Sequence, residues 1–255
     1  MKNIKFLLLI LFPLHLGLLL FFFLDPNGLH DVLYFLLGYI LIGGLGVNVG
    51  LHRWASHRSV RLKSFVKPVV IFFSIMSCQG HPIWWATVHR GYHHKNADTE
   101  ADPHTPKHGM WHSFLGWIIA HDVKSLNYKY SSDLFKDRLL NRTLGFYEMI
   151  IWITWIISGL ISLNFLLFFF VVPTIIAFHS EGLVNTFCHS SLGYRNFNTN
   201  DNSKNISILG YFAWGNGWHN NHHENPGSFD FGKNISGKKK EFDPCTIFLP
   251  FIKTR

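Results

Sequence analysis

Charged residues are scarce in this chain of 255 residues: Asp, Glu, Lys and Arg make up 15% of it, against 48% hydrophobic residues. Soluble domains carry about 25% charged residues, so the composition favours an integral membrane protein. Cysteine is scarce too. The three cysteines are scattered and form no CxxC pair, so they indicate neither a disulfide framework nor a thiolate zinc site. No internal repeat or low-complexity linker interrupts the sequence, so we expect a single membrane domain over residues 1–255.

Two carboxylate-containing metal motifs are missing as well. The chain has no Glu-x-x-His pair, which excludes the carboxylate-bridged di-iron bundle, and no His-Glu-x-x-His, which excludes the usual zinc peptidase. What it has instead is 17 histidines, nine of them in four short clusters. These clusters are HRWASHR (His52, His57), HRGYHHK (His89, His93, His94), Asn185-x3-His189 and HNNHH (His219, His222, His223). Nine imidazoles are too many for one metal ion and suit two, and neutral imidazole is a ligand for Fe, Zn, Cu and Ni.

Spacing predicts how the first two clusters share their ligands. Residues three or four apart lie on one face of an α-helix, so His89 is expected to align with His93. His94 then points about 100° away and can reach a second ion, at 3.6 residues per turn. His52 and His57 are five apart and should not share a helical face. They fit the end of a helix that leaves the membrane.

In the last cluster, His219 is expected to align with both His222 and His223. With all-nitrogen ligation the protein adds no negative charge to the ions, so nearby carboxylates would orient the imidazoles. The candidates for this role are Asp98, Glu100, Asp102 and Glu224.

The apolar stretches indicate four transmembrane helices. We expect crossings at about 5–24, 32–50, 146–162 and 165–184, each close to the 20 or so residues that a span needs. The first is interpreted as a retained span, since no small-residue cleavage site follows it. The stretch 66–84 is interpreted as interfacial, because a crossing there would separate the first two histidine clusters. Glycines in the second span indicate close helix packing or a cavity for a lipid chain.

The distribution of basic residues supports this topology independently. All 23 Lys and Arg residues lie in the segments 1–5, 51–145 and 185–255, and the outer turns have none. This pattern satisfies the positive-inside rule, so both termini and the histidines are expected to be cytosolic. The formal charge of +8 then reflects topology and anionic lipid rather than nucleic acid binding. The sequence therefore predicts an all-α integral membrane protein, with four transmembrane helices and a helical cytosolic cap that carries a His-rich di-metal site.

The ordered clusters resemble the histidine boxes of the membrane fatty acid desaturases. HRWASHR, HRGYHHK with the following ADTEADPH, Asn185-x3-His189 and GNGWHNNHH match in order and spacing over about residues 30–244. The branch that they resemble most introduces a double bond at C9 of saturated chains and includes the stearoyl-CoA and bacterial acyl desaturases. The bacterial inner membrane is favoured over the endoplasmic reticulum.

The resemblance implies two iron ions, O2 as co-substrate and a fatty acyl substrate carried as acyl-CoA or acyl-lipid. Electrons are expected from an external ferredoxin or cytochrome-type donor, since no appended haem domain is expected. The implied ligands are His52, His57, His89, His93, His94, His189, His219, His222 and His223. Asn185 is implied to hold a water bound to one iron.

Four departures from the family pattern stand out. The second box has three residues between its histidines where the animal enzymes have two. Thr87 and Val88 replace an Arg-Asp pair that contacts coenzyme A in those enzymes, and Lys239-Lys240 replace a Trp-Trp pair. The third box opens with Gly-Asn216-Gly where Gly-Glu-Gly is usual, which predicts the loss of a carboxylate near the metals.

Two other functions remain open at this stage. A fatty acid or lipid hydroxylase, or another oxygenase, could use the same scaffold, because both reactions begin with hydrogen abstraction. A His-rich metal transporter is less favoured, since it should place its polar groups within the spans. His179, ten residues before His189, is a further candidate ligand.

Overall fold

The computed structural model describes residues 4–21, 28–120, 125–233 and 241–254, and within these ranges the fold is helical with no strand. The last part of the predicted first span (22–24), His121 and Lys239-Lys240 lie outside the described residues. In chain order the helices are α1 (Ile4–Leu20), α2 (Leu29–Ser56), α3 (Lys67–Met76), α4 (82–96), α5 (112–120), α6 (Arg138–Leu144), α7 (Tyr147–Ile161), α8 (Leu163–Phe187), α9 (Ser207–Phe212), α10 (His219–Glu224) and α11 (Leu249–Ile252).

Two of these helices, α2 and α8, are long and apolar enough to cross a membrane. Helices α6 and α7, bent by 80° at their junction, would make a third span if they are counted as one. Helix α1 is apolar but shorter. The described residues thus hold two or three membrane-capable helices, and the four predicted spans stay a prediction.

Helix α2 lies between α3 and α8, and glycines allow it to approach both. A Cβ on Gly38 would lie 2.2 Å from the carbonyl oxygen of Phe169 in α8, and one on Gly46 would lie 2.4 Å from that of Phe73 in α3. The Ser74 hydroxyl donates to the Gly46 carbonyl at 2.9 Å. These positions therefore serve close helix packing, one of the two interpretations of the glycines in this span.

Two π-helical stretches carry the first two histidine boxes. The C-terminal half of α2, Ile40–Ser56, is π-helical, and the amide of His57 donates to the carbonyl of His52 at 3.0 Å. A single π turn, His89–His93, interrupts α4, and the amide of His94 donates to the carbonyl of His89. Such i→i+5 turns place residues five apart over one another, and they occur often at functional sites.

A buried ion pair ties the C-terminal segment to α2. The Arg53 guanidinium donates to the Asp243 carboxylate at 2.8 Å, and both side chains are fully buried. The guanidinium also lies over the Phe231 ring, 3.8 Å from its centroid. Because Arg53 follows His52 directly, this contact fixes the part of α2 that carries the first box.

Candidate metal centre

The nine box histidines converge on one region, although they come from four separate segments of the chain. Their ring nitrogens form two groups, within each of which the atoms lie within 4.8 Å of one another. The five-histidine group consists of His52, His57, His89, His94 and His222, and the four-histidine group of His93, His189, His219 and His223.

The Nε2 atoms face each other inside each group at distances that fit a metal ion. Neighbouring pairs, such as His52–His222 and His189–His219, have Nε2–Nε2 separations of 2.8–3.2 Å. Bonds of about 2.1 Å from imidazole to a metal place two ligand atoms about 3.0 Å apart at 90° and about 3.4 Å apart at a tetrahedral angle. Both groups therefore have the donor type and the spacing to hold one ion each.

The histidines of the second box divide between the two groups differently from what α-helical spacing predicts. His89 pairs with His94, with ring centroids 4.6 Å apart, and both belong to the five-histidine group. His93, expected to align with His89, belongs to the other group. The prediction assumed α-helical spacing and was wrong because of the π turn. The same cause overturns the expectation for the first box: the rings of His52 and His57 lie 4.9 Å apart at the C-terminal end of α2.

The third box follows the α-helical rule in part. His219 and His223, four residues apart on α10, belong to the four-histidine group, with centroids 4.4 Å apart. His222 turns away from both and joins the five-histidine group, so the expected alignment with His219 was wrong for this residue. The short helix α10 therefore supplies ligands to both groups.

Three aspartates hold imidazoles of the four-histidine group at their Nδ1 atoms. The pairs, with their Nδ1–O distances, are Asp102–His93 (2.9 Å), Asp98–His189 (3.1 Å) and Asp201–His223 (2.6 Å). An acceptor at Nδ1 fixes the proton there and leaves the Nε2 lone pair directed into the group.

Sequence proximity identified two of these three acids. Asp98 and Asp102 were among the candidates, whereas Asp201 lies 22 residues before the histidine that it contacts and no local spacing indicates it. The other two candidates lie elsewhere: Glu100 pairs with His108, and Glu224 is exposed.

The five-histidine group has a different polar partner. The Nδ1 of His52 donates to the Asn216 side-chain oxygen at 2.8 Å. The amide nitrogen of Asn216 in turn donates to both carboxylate oxygens of Glu181, at 2.9 Å each. The sequence predicted that asparagine at this position removes a carboxylate near the metals. The imidazole does contact an amide in place of a carboxylate, and Glu181 of α8 brings a carboxylate to the far side of that amide.

Burial keeps the ligand candidates in the form that binds metal. Among the candidates outside the membrane-capable helices, desolvation lowers the pKa of five well below the usual 6.5, and neighbouring imidazoles lower it further. These five are His57, His89, His94, His219 and His222. Although burial raises the pKa of Asp102, the adjacent His104 and His93 outweigh it and hold the pKa below its usual range. Neutral imidazoles beside ionised carboxylates are the protonation states that a cation requires.

An apolar cavity adjoins both groups. His52, His89 and His219 line it together with Asn185 and Glu181. Aromatic and aliphatic side chains form most of the remaining wall, among them Phe6, Trp84, Val88, Phe114, Trp117 and Phe178. The arrangement places apolar surface of the kind that holds an alkyl chain directly beside the histidines.

Two further sequence expectations concern residues around the centre. The His179 ring contacts His15, with 3.0 Å between their Nε2 atoms, and belongs to neither histidine group. Thr87 is buried and its hydroxyl donates to the Ile83 carbonyl at 2.7 Å, while Val88 lines the cavity. Neither position offers a charged side chain to a substrate carrier.

Comparison with known proteins gives the same family throughout. The profile of the fatty acid desaturase family matches residues 26–228. A Delta-9 acyl-lipid desaturase 2 from Arabidopsis thaliana is 35% identical over 72% of this chain and 61% of its own length. An acyl-CoA C20 Delta5-desaturase from Anemone leveillei is 34% identical over 72% and 60% of the two chains. An sn-1 stearoyl-lipid 9-desaturase from Anabaena variabilis is 31% identical over 82% and 77%. This chain thus spans about three fifths of the length of the two plant relatives.

Proposed function

Because the chain belongs to the fatty acid desaturase family, we propose that it is an enzyme that introduces a cis double bond at C9 of a saturated fatty acyl chain. The reaction removes one hydrogen from each of two adjacent methylenes. These two hydrogens, O2, two electrons and two protons together give two waters. The observation that carries the proposal is the convergence of nine box histidines beside an apolar cavity.

The two histidine groups would each hold one iron ion, and Asn185, which lines the cavity beside them, would hold a water bound to one of the two. Bound iron would supply the redox chemistry with O2. The protein's own contribution is to keep the imidazoles neutral, to orient them through Nδ1, and to exclude water from the apolar cavity where the acyl chain lies. The aspartates of the four-histidine group support the second of these tasks, and burial of the imidazoles supports the first.

An acyl lipid is the substrate class that we favour over a coenzyme A thioester. Relatives of nearly equal identity are named for acyl-lipid and acyl-CoA substrates and for positions 9 and 5, so similarity alone does not choose among them. The buried Thr87 and the apolar Val88 favour a carrier without the charges of coenzyme A.

We place both termini and the metal centre on the cytosolic side of a bacterial inner membrane, with four spans. Helices α2 and α8 both end at the histidines, so their C-terminal ends lie on one side. The chain must then cross outwards between them, which is the role proposed for α7. Helix α3 has ten residues, about 15 Å at 1.5 Å each, and is too short to cross a hydrocarbon core of about 30 Å. An external ferredoxin or cytochrome-type donor would approach from the cytosol.

Expression in a host of defined fatty acid composition, followed by mapping of double bonds, tests the proposal. We expect a new monounsaturated acid from the wild type and none from His219→Ala or His93→Ala. His108→Ala is the matched control, since this histidine is half-exposed and pairs with Glu100 outside both groups. A hydroxy fatty acid with no new double bond would assign hydroxylation instead. Product formation by both cluster variants would contradict the metal assignment.

A further inference from the structure

The two histidine groups differ in how their imidazoles are held. The four-histidine group has three direct aspartate contacts at Nδ1. In the five-histidine group, within the part of the chain that the structure describes, no carboxylate contacts an Nδ1 atom directly. The carboxylate of Glu181 reaches His52 through the Asn216 side chain.

The direction of each hydrogen bond in this relay follows from the chemistry of the amide. An ionised carboxylate accepts hydrogen bonds and donates none, so with Glu181 ionised the Asn216 nitrogen faces Glu181 and its oxygen faces His52. The oxygen then accepts the Nδ1 proton of His52, and the Nε2 lone pair points into the five-histidine group. A rotated Asn216 amide would place an N–H against Nδ1 and move the imidazole proton to Nε2, where it would block a metal. The carboxylate of Glu181 thus selects the tautomer of His52 across one intervening residue.

Glu181 is well placed for this role by the fold. It lies on α8, one turn before Asn185, and lines the same cavity as His52 and Asn216. Both of its oxygens accept from the same amide nitrogen at 2.9 Å, so the carboxylate holds the amide plane in place.

We propose that Glu181 is a positioning residue of the metal centre: through Asn216 it fixes the ring and the proton of His52, and so orients one ligand of the five-histidine group. The inference rests on the proposed metal-dependent function and deepens it. It assigns the two groups different outer partners: direct aspartates in one and a relayed glutamate in the other.

Cobalt binding to the purified, chelator-treated full chain in detergent provides the test. The dissociation constants and the ligand-field absorption bands of Co²⁺ report ligand geometry without turnover. His52→Ala identifies the binding stage that belongs to the five-histidine group, because it removes a ligand from that group alone.

Glu181→Gln keeps the size of the side chain and an oxygen that can still accept from Asn216, but it removes the charge. We expect the dissociation constant of the five-histidine stage to rise about 10- to 100-fold, the usual effect of losing an outer-shell partner, with altered Co²⁺ bands in that stage alone. The double variant Glu181→Gln/Asn216→Glu moves the carboxylate directly onto His52 and should restore both. Glu148→Gln, which lies in α7 and pairs with Lys5, is the matched control and should change neither.

Three results would overturn the inference. They are unchanged Co²⁺ binding in Glu181→Gln, an equal weakening of both stages, and a double variant that binds no better than Glu181→Gln. A wild-type chain that binds no Co²⁺ would overturn the proposed function along with it. If the protein binds Co²⁺ in both histidine groups but forms no desaturated product, the proposed reaction is wrong. The assignment of Glu181 then still stands.

Discussion

Replacement of Asp102 by asparagine should weaken metal binding more than the same change at Asp98. Both carboxylates accept from an Nδ1 in the four-histidine group, but the Asp102 side chain is only 1% exposed, against 10% for Asp98. Each also accepts from a backbone amide, Asp102 from His104 at 3.2 Å and Asp98 from Asn202 at 2.6 Å, so exposure is what distinguishes the two. Water therefore has less room to replace the lost acceptor at Asp102.

The loss of an outer-shell partner costs about 10- to 100-fold in metal affinity. We expect Asp102→Asn near the upper end, about 100-fold or about 2.7 kcal/mol, and Asp98→Asn near the lower end, about tenfold or about 1.4 kcal/mol. The side-chain amide introduced by Asp102→Asn can also turn its NH₂ towards the His93 imidazole, which favours the tautomer with a proton on Nε2. This second effect points in the same direction.

Titration of the metal-free protein with Co²⁺ or Fe²⁺ measures the difference, and thermal unfolding without metal checks that the fold is intact. Asp133→Asn is the control, because Asp133 pairs with Arg58 and Arg90 and contacts no ligand candidate. Equal losses of metal affinity at the two aspartates, or a loss at Asp133 as large as at Asp102, would refute the idea that a more buried aspartate contributes more to metal binding.

Two other predictions concern stability. Asp243→Ala should lower the free energy of unfolding by about 3–5 kcal/mol, because it leaves the charge of Arg53 buried without its partner. Thermal unfolding in detergent measures this loss of stability. A loss no larger than that of the surface variant Glu148→Ala would contradict the prediction. Metal-free protein should also lose stability as the pH falls below 6.5: burial lowers the pKa of His104 to about 3 and that of His223 to about 4. The unfolded chain therefore binds more protons in this range, so the stabilisation is fully present above pH 6.5 and is lost towards pH 4. Denaturant unfolding at pH 7.5 and pH 5 measures it, and equal stability at the two values would count against it.

The sequence predicted which histidines form the centre better than it predicted how they divide into two groups. A shared metal centre required all four clusters to lie on one side of the membrane, and the nine histidines do lie together. Which histidine joins which group depends on backbone hydrogen bonding, and a spacing rule assumes the α-helical form. The i→i+5 bond between His94 and His89 is what reversed the predicted pairing.

Contacts made across the fold were invisible in the sequence for a different reason. Asp201 and Glu181 lie in segments with no histidine at helical spacing that would identify their partners, and only tertiary packing brings them to His223 and Asn216. The third box alone indicates a missing carboxylate, because Glu181 is distant from it in sequence. The pair of Asn216 with Glu181 retains the carboxylate and moves it one side chain away from the imidazole.

The π turn of α4 explains how the longer second box keeps its ligands in register. The extra residue of this box, relative to the animal spacing, is accommodated by the i→i+5 bond, which leaves His94 over His89 as an i→i+4 bond would with one residue fewer. Deletion of Tyr92 should therefore convert the turn to α-helical form and keep both metal-binding stages, at reduced affinity, since the Tyr92 hydroxyl accepts from the Asn127 amide at 2.8 Å. Insertion of one alanine after Tyr92 adds a residue that neither turn can absorb, and it should abolish binding in the five-histidine group. If the deletion abolishes Co²⁺ binding as completely as the insertion, the π turn is itself required and the register argument is wrong.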